Sequence, residues 1–208
     1  MAGKALRIRD NWQTASGPGG LAGTAEKNLI VALTKGLDPE IYEVNDHPTD
    51  LKHIYDKVIL PPETITQIFC PDDNAMETAQ KRGWGVSPDF SIRNKLTGKI
   101  LFGEIKRQDG WVENKDPSAG RGNAHERMCK LFTPGLMKKY RELSGIVSED
   151  ILPFWVVLEG DITRDPKRNR EIAFWFDRFD KNYFMWRPQM SDADLVEHFN
   201  KFLKPYLD

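Results

Sequence analysis

Residues 86–127 read VSPDFSIRNKLTGKILFGEIKRQDGWVENKDPSAGRGNAHER, and the fold turns on their interpretation. In VSPDFSI (86–92), Val86, Pro88, Phe90 and Ile92 alternate with polar neighbours, the period-two signature of a half-buried strand. NKLTG (94–98) turns the chain, and KILFGEIK (99–106) returns. On the returning strand Ile100, Phe102 and Glu104 share one face, with Leu101 and Ile105 on the other. The spacing predicts an antiparallel hairpin with strands over 86–93 and 99–107. Adjacent strands bring Asp89 and Glu104 together, and Lys106 follows two residues later on the Glu104 face. After the loop RQDGWVENKDPSAG (107–120), a helix is predicted through NAHERMCKLF (123–132), interrupted at Pro134 and resumed in GLMKKYREL (135–143).

Outward from this stretch, TAEKNLIVALTKGL (24–37) predicts a helix with Leu29, Ile30, Leu33 and Leu37 apolar, Thr24 as N-cap and Gly36 as stop. Before it, residues 1–23 read as a flexible arm ending in ASGPGG (15–20). Five prolines between 38 and 73 indicate extended pieces and one short helix, PETITQIF (62–69), rather than regular core. LPFWVVLE (152–159) predicts a central strand buried on both faces, and EIAFWF (171–176) another strand. Ser191 caps a last amphipathic helix, SDADLVEHFNKFLKPYL (191–207), with Leu195, Phe199 and Phe202 on one stripe. The expected fold class is α/β: one domain over 1–208, with a mixed central sheet flanked by helices on both sides and its working core in 84–176.

Composition narrows the class. In 208 residues, 39% are hydrophobic and 11% aromatic, enough for a packed interior and not for a disordered chain. No apolar run reaches 18 residues, so no membrane span is predicted, and the basic start MAGKALRIRD lacks the apolar segment of a secretory signal. Cys70 and Cys129 have no CxxC spacing; they fit a reduced, cytoplasmic protein in which both are ordinary apolar residues. The net charge of −1 is uninformative, but its distribution is not. Residues 37–78 hold ten acids and two bases, whereas residues 104–141 hold nine bases and five acids. A basic middle after an acidic arm suits a locally positive binding face, or two solvated faces that differ.

The triplet Asp89, Glu104 and Lys106 suits phosphodiester hydrolysis. That reaction needs a hard divalent cation on carboxylates, and a lysine can orient the attacking water. Alone the pattern is weak, because acid-x-Lys occurs four times here, at Asp50/Lys52, Glu104/Lys106, Glu113/Lys115 and Asp165/Lys167. Pro-Asp occurs at 71–72 and 88–89. Only Glu104/Lys106 lies on a strong strand, and only Asp89 lies on a strand that would pair with it. Downstream, Arg121, Gly122, Asn123, Glu126 and Arg127 cluster at a predicted helix start. Such a start suits phosphates, and Arg and Asn suit guanine and adenine edges. A capped helix with an internal Glu–Arg pair explains the same residues.

GEIKRQDGW (103–111), DPSAGRGNAHER (116–127) and LPFWVVLEGDITRDPKR (152–168) resemble type II restriction endonucleases of the EcoRI/MunI kind, with the MunI type matching more fully. The resemblance covers most of the chain from about Trp84 onward. It implies a PD-(D/E)xK nuclease core, with Asp89, Glu104 and Lys106 catalytic and Mg²⁺, or Mn²⁺ in its place, held by Asp89 and Glu104. GNAHER is similar to the GNA-x-ER recognition segment of the EcoRI type, which reads an inner AATT. By that resemblance Gly122, Asn123, Ala124, His125, Glu126 and Arg127 contact DNA and Arg121 reads the outer pair, giving CAATTG. The resemblance further implies a homodimer on a palindromic site, a 5′ overhang with 5′-phosphate ends, and a cognate DNA methyltransferase in the same host.

Other residues read more plainly. Glu26 could reach the metal site from the first helix, although a helix glutamate is more often a surface residue. His47, His53 and His198 show no ligand spacing and read as structural or exposed, which also disfavours an HNH nuclease. The aromatic residues of PFWVVLEG and AFWF read as core rather than base-stacking platforms. Two further classes stay in view. A structure-selective or repair nuclease on the same core has no use for GNAHER, and a non-catalytic DNA-binding protein has no use for the triplet.

Overall fold

Five strands pair in the order β1-β2-β3-β4-β5 in the computed structural model, which describes residues 18–56, 58–64, 85–107, 124–160 and 166–208. They are β1 (Tyr42–Asp46), β2 (Phe90–Asn94), β3 (Ile100–Arg107), β4 (Phe154–Glu159) and β5 (Tyr183–Trp186). The first three are mutually antiparallel, while β4 runs parallel to β3, and β5 to β4. Parallel neighbours need long crossovers. The β3–β4 crossover carries α2 (Ala124–Leu131) and α3 (Pro134–Ser144), and the β4–β5 crossover carries α4 (Pro166–Phe176) and a 3₁₀ turn (Asp177–Asn182). Ahead of the sheet lies α1 (Pro18–Gly36). After it come α5 (Asp192–His198), a π-helical turn (Phe199–Leu203) and α6 (Lys204–Leu207).

Strand alternation builds two cores. Phe90, Ile92, Leu101, Ile105, Trp155 and Val157 point to one face, where α1 contributes Ala25, Leu29, Ala32 and Leu33 and the C-terminal helices contribute Leu195, Phe199, Leu203 and Leu207. Ile100, Phe102, Phe154, Val156 and Leu158 point to the other, covered by Met128, Leu131, Leu136, Tyr140, Ile172 and Phe176 from α2, α3 and α4. The expected mixed sheet with helices on both faces is present, and β4 is buried on both sides as its continuous apolar run requires.

The predicted hairpin forms, with Phe90 opposite Gly103 and Ile92 opposite Leu101. Its turn is held by Asn94, whose Oδ1 accepts from the Leu96 and Thr97 N–H groups at 2.8 and 3.1 Å. Gly98 supplies the left-handed residue, at φ 76°. The last residues of the chain pin this end of the hairpin. Tyr42 Oη and Asn94 Nδ2 donate to Asp208 Oδ1, and Thr97 Oγ1 donates to the Leu207 carbonyl at 2.6 Å.

Several expectations need correction. EIAFWF is not a strand but the end of α4. Ile172 and Phe176, four residues apart, are buried, and Phe174 is 83% exposed, so helical spacing decides where six apolar letters could not. Phe174 is therefore not core. α1 begins at Pro18, and Thr24 lies inside it, its hydroxyl turned back onto the Gly20 carbonyl at 2.9 Å instead of capping. Gly36 does end the helix, and it also lets α5 approach, since a Cβ there would lie 2.4 Å from Val196 Cγ2. On the last helix, Leu203 and Leu207 take the core positions while Phe202 is only partly buried, because the π turn shifts the phase of the apolar stripe. Cys129 is exposed, not apolar filling, and Cys70 lies outside the described residues. Strands β1 and β5 were not foreseen as paired strands. Of PETITQIF, only 62–64 are described, as a helical turn.

Candidate active site at the end of the β2–β3 hairpin

Asp89 stands immediately before β2 and opposite Glu104, because the antiparallel register carries Phe90–Gly103 one step outward. Alternation then sends Glu104 and Lys106 to the same side of β3, past the apolar cover of Phe102. The result is a polar pocket in a dry setting: Asp89 is 8% exposed and Glu104 2%.

Lys106 Nζ occupies its centre. It lies 2.9 Å from Asp89 Oδ2, 2.7 Å from Glu104 Oε1 and 2.8 Å from the Ile105 carbonyl. Asp89 Oδ2 also accepts the Ile105 N–H at 2.9 Å, so the carboxylate is fixed by the strand it faces. Burial alone would draw protons off Lys106, but the charges of Glu104 and Asp89 outweigh it and hold the ammonium above its ordinary range. A cation is thus seated among two buried carboxylates and a main-chain carbonyl. Those are hard oxygen donors, the set a small divalent ion takes. The donor chemistry fits Mg²⁺, with Asp89 and Glu104 as the residues that would hold it.

A second group of acids borders the pocket. Glu26 on α1 and Asp46 at the end of β1 both reach His47, with Nε2 3.2 Å from Glu26 Oε1 and Nδ1 2.6 Å from Asp46 Oδ1. One ligand atom from each of the three lies within 4.8 Å of the others. The His47 N–H donates to the Asp89 carbonyl at 3.1 Å, tying this group to the first. His47 binds its proton more tightly than an ordinary histidine, through the Asp46 hydrogen bond first, with burial opposing and Glu26 assisting. Glu26 also holds its proton more tightly than usual, through burial first and then the charge of Asp89. His47 shows no ligand spacing in the sequence because its partner lies 21 residues upstream on another element, and only the fold joins them.

Comparison with known proteins decides the family. A model of the type II restriction enzyme MunI matches residues 1–208. The chain belongs to the MunI family of type II restriction endonucleases. A curated relative from Mycoplasma sp, described as type II restriction enzyme MunI, is 57% identical over 208 residues, covering 100% of both chains. A crystal structure of MunI restriction endonuclease in complex with cognate DNA matches with TM-score 0.71 and 55% identity, covering 87% of this chain and 96% of that one. Membership of the MunI family makes this chain a site-specific DNA endonuclease, a hydrolase of phosphodiesters. None of its described helices is long and apolar enough to cross a membrane.

Of the residues predicted from sequence, the fold brings Asp89, Glu104 and Lys106 into direct contact. Arg121, Gly122 and Asn123 lie outside the described residues. The main chain of Ala124, His125, Glu126 and Arg127 opens α2, and their side chains lie outside the described set. His53 is exposed beside Asp56, while His198 is half-buried against aromatic rings, in keeping with the reading of these histidines as structural or exposed.

Proposed function

We propose that this chain acts as a homodimer that cuts both strands of CAATTG in double-stranded DNA, with Mg²⁺ or Mn²⁺ held by Asp89 and Glu104. The observation that carries this reading is the seating of the Lys106 ammonium between those two buried carboxylates. When bound, the divalent cation neutralises charge developing on the phosphate and raises the acidity of water. Asp89 is oriented by the Ile105 N–H, so the site is rigid before the cation arrives. With the carboxylates committed to a cation, Lys106 would be free to offer its three donors to the attacking water and a non-bridging phosphate oxygen.

Recognition in this reading belongs to Arg121, Gly122, Asn123, Ala124, His125, Glu126 and Arg127. Asn123 pairs with adenine and Arg121 with the guanine of the outer pair. α2 opens at Ala124, so amides of its first turn face the duplex with the partial positive charge of a helix N-terminus. Each subunit of the dimer reads one half of the palindrome and cuts one strand. A methyltransferase of the same host shields the host's own sites, and both enzymes work in the cytoplasm.

A plasmid of known sequence, digested with Mg²⁺ and end-mapped, tests this. Fragments ending only at CAATTG, with a four-base 5′ overhang and 5′-phosphates, are expected. Cutting at AATT with any flanking pair would remove the outer-pair role of Arg121, and sequence-independent nicking would overturn the reading.

A further inference from the structure

We propose that Arg107 is a positioning residue whose ion pair with Glu159 fixes the end of β3 and so keeps Lys106 aimed at the reacting phosphate. The proposal rests on the reading of Lys106 as the group that serves the attacking water, and extends it. It begins with how β3 is held. Pairing with β2 runs from Arg93–Ile100 to Phe90–Gly103 and stops there, because β2 starts at Phe90. Glu104 and Lys106 lie beyond that point. On the β2 side the Ile105 N–H goes to the Asp89 side chain at 2.9 Å, not to a strand. On the other side β4 stays in register, with Lys106 opposite Leu158 and Arg107 opposite Glu159 as the last rung.

That last rung is charged. Arg107 Nη1 lies 3.2 Å from Glu159 Oε1, and the two side chains are 23% and 21% exposed, so salt screens them less than a pair on the open surface. Alternation puts Arg107 on the Ile105 face of β3, opposite to the face that Lys106 takes. The apolar core of that face includes Ile105, Val157 and Trp186, and Trp186 is the β5 partner of Glu159, so the pair closes the core's rim. Its effect on Lys106 therefore runs through the β3 backbone. Lys106 stands one residue before this rung, with its Nζ shared among Asp89, Glu104 and the Ile105 carbonyl, and a small shift of the strand would disturb all three contacts. Opposite charges directly across two strands steady their register. Here they do so where one neighbouring strand holds β3 instead of two.

Single-turnover cleavage of a CAATTG duplex in Mg²⁺, followed across enzyme concentrations, separates the maximal rate from half-saturation. Arg107→Ala and Glu159→Ala are each expected to lower the maximal rate about tenfold, the scale of a misplacement below about 1 Å, with half-saturation unchanged. Arg107→Lys, which keeps the charge, is expected to recover most of the rate. The double Ala variant should lose no more than either single one, since the same contact is removed in all three. Hydrogen exchange of the full-length, DNA-free protein gives a readout apart from cleavage. Amides of residues 104–107 should exchange faster in Arg107→Ala while global melting stays at the wild-type temperature. A raised half-saturating concentration with a shallower salt dependence would make Arg107 a phosphate contact and overturn the proposal. Wild-type rates in both single variants, or additive losses in the double, would overturn it too. A melting temperature that falls in step with the rate would reduce the pair to a structural role. If Lys106→Ala itself cleaves at the wild-type rate, the underlying reading of Lys106 is what fails.

Discussion

Both faces of the sheet are covered by helices but to different ends. On the Phe90–Trp155 face, α1 and α5 close so tightly that Gly36 meets Val196, Tyr42 packs edge-on to Phe199 at 5.6 Å, and Trp155 stacks on His198 at 5.7 Å. This face is architecture throughout, apart from Glu26 at its rim. The Phe102 face is apolar along Ile100 and Phe102, then turns abruptly to Glu104 and Lys106 within the same strand. A strand covered on both faces therefore delivers chemistry merely by continuing past the helix that covers it. The dryness that Phe102, Tyr140 and Phe154 provide is what makes the charges beyond them strong.

The sharpest way to break this comparison is Asp89→Ala. If Asp89 holds the cation as proposed, its loss should forfeit several kcal/mol of transition-state stabilisation, about a thousandfold or more in cleavage rate. Binding to a CAATTG duplex should survive, as read by gel shift. Asp89→Asn is the companion variant. It keeps an acceptor for the Ile105 N–H, so it should lose activity with less loss of stability than Ala, which strands a buried amide at about 1–3 kcal/mol. If Asp89→Asn keeps wild-type activity, the carboxylate charge is not what this face supplies.

Gly103→Ala probes the architectural face one residue away. A Cβ at Gly103 would lie 2.1 Å from the Phe90 ring, which is itself packed edge-on to Trp155 at 6.0 Å and cannot yield cheaply. A loss of about 3 kcal/mol in urea unfolding is expected, the upper end for overpacking. A loss under about 0.5 kcal/mol would show that this face is looser than its contacts suggest.

What the sequence disclosed follows the range of the interactions. The hairpin, the double-sided burial of β4 and the Ser191-capped helix all rest on neighbours near in the chain, and each is present. Asp89, Glu104 and Lys106 could be singled out because one hairpin carries all three. β1 and β5, of five and four residues, are too short to show a period, and their strand character comes from the partners that flank them. EIAFWF misled because a six-residue apolar run fits either period, and the outward turn of Phe174 has no mark in the sequence. Glu26 and His47 were unreadable as a pair, since α1 and β1 meet only after the sheet forms.

Arg121→Ala carries the comparison to recognition. If Arg121 reads the outer base pair, its loss should reduce discrimination between CAATTG and AATT sites with other flanks by about 1–3 kcal/mol, measured as relative cleavage rates in Mg²⁺. Uniform weakening across sequences, with a shallower salt dependence, would instead make it a phosphate contact.

The smallest effect separates the interior of the Phe90–Trp155 face from its rim by pH. His198 is half-buried among Trp155, Phe184 and Phe202 with its Nε2 2.9 Å from the Lys181 carbonyl, which makes that nitrogen the donor. Burial lowers its proton affinity, and the Lys181 carbonyl and Asp180 only partly offset this. The folded state therefore stays neutral while the unfolded chain takes up a proton near pH ~6.5, so stability falls as pH drops below that point and levels off once the folded histidine also titrates. Between the two values the slope is at most about 1.4 kcal/mol per pH unit. His47, at the rim beside Asp89, is shifted the other way, so its contribution is present in acid and fades as pH rises through its folded value. The two histidines partly cancel in wild type. The urea midpoint at about pH 5.5, relative to that at about pH 7.5, should therefore rise in His198→Phe, which keeps the stacking, and fall in His47→Asn. Parallel shifts in both variants would mean that the interior and the rim of this face do not differ in how they hold a proton.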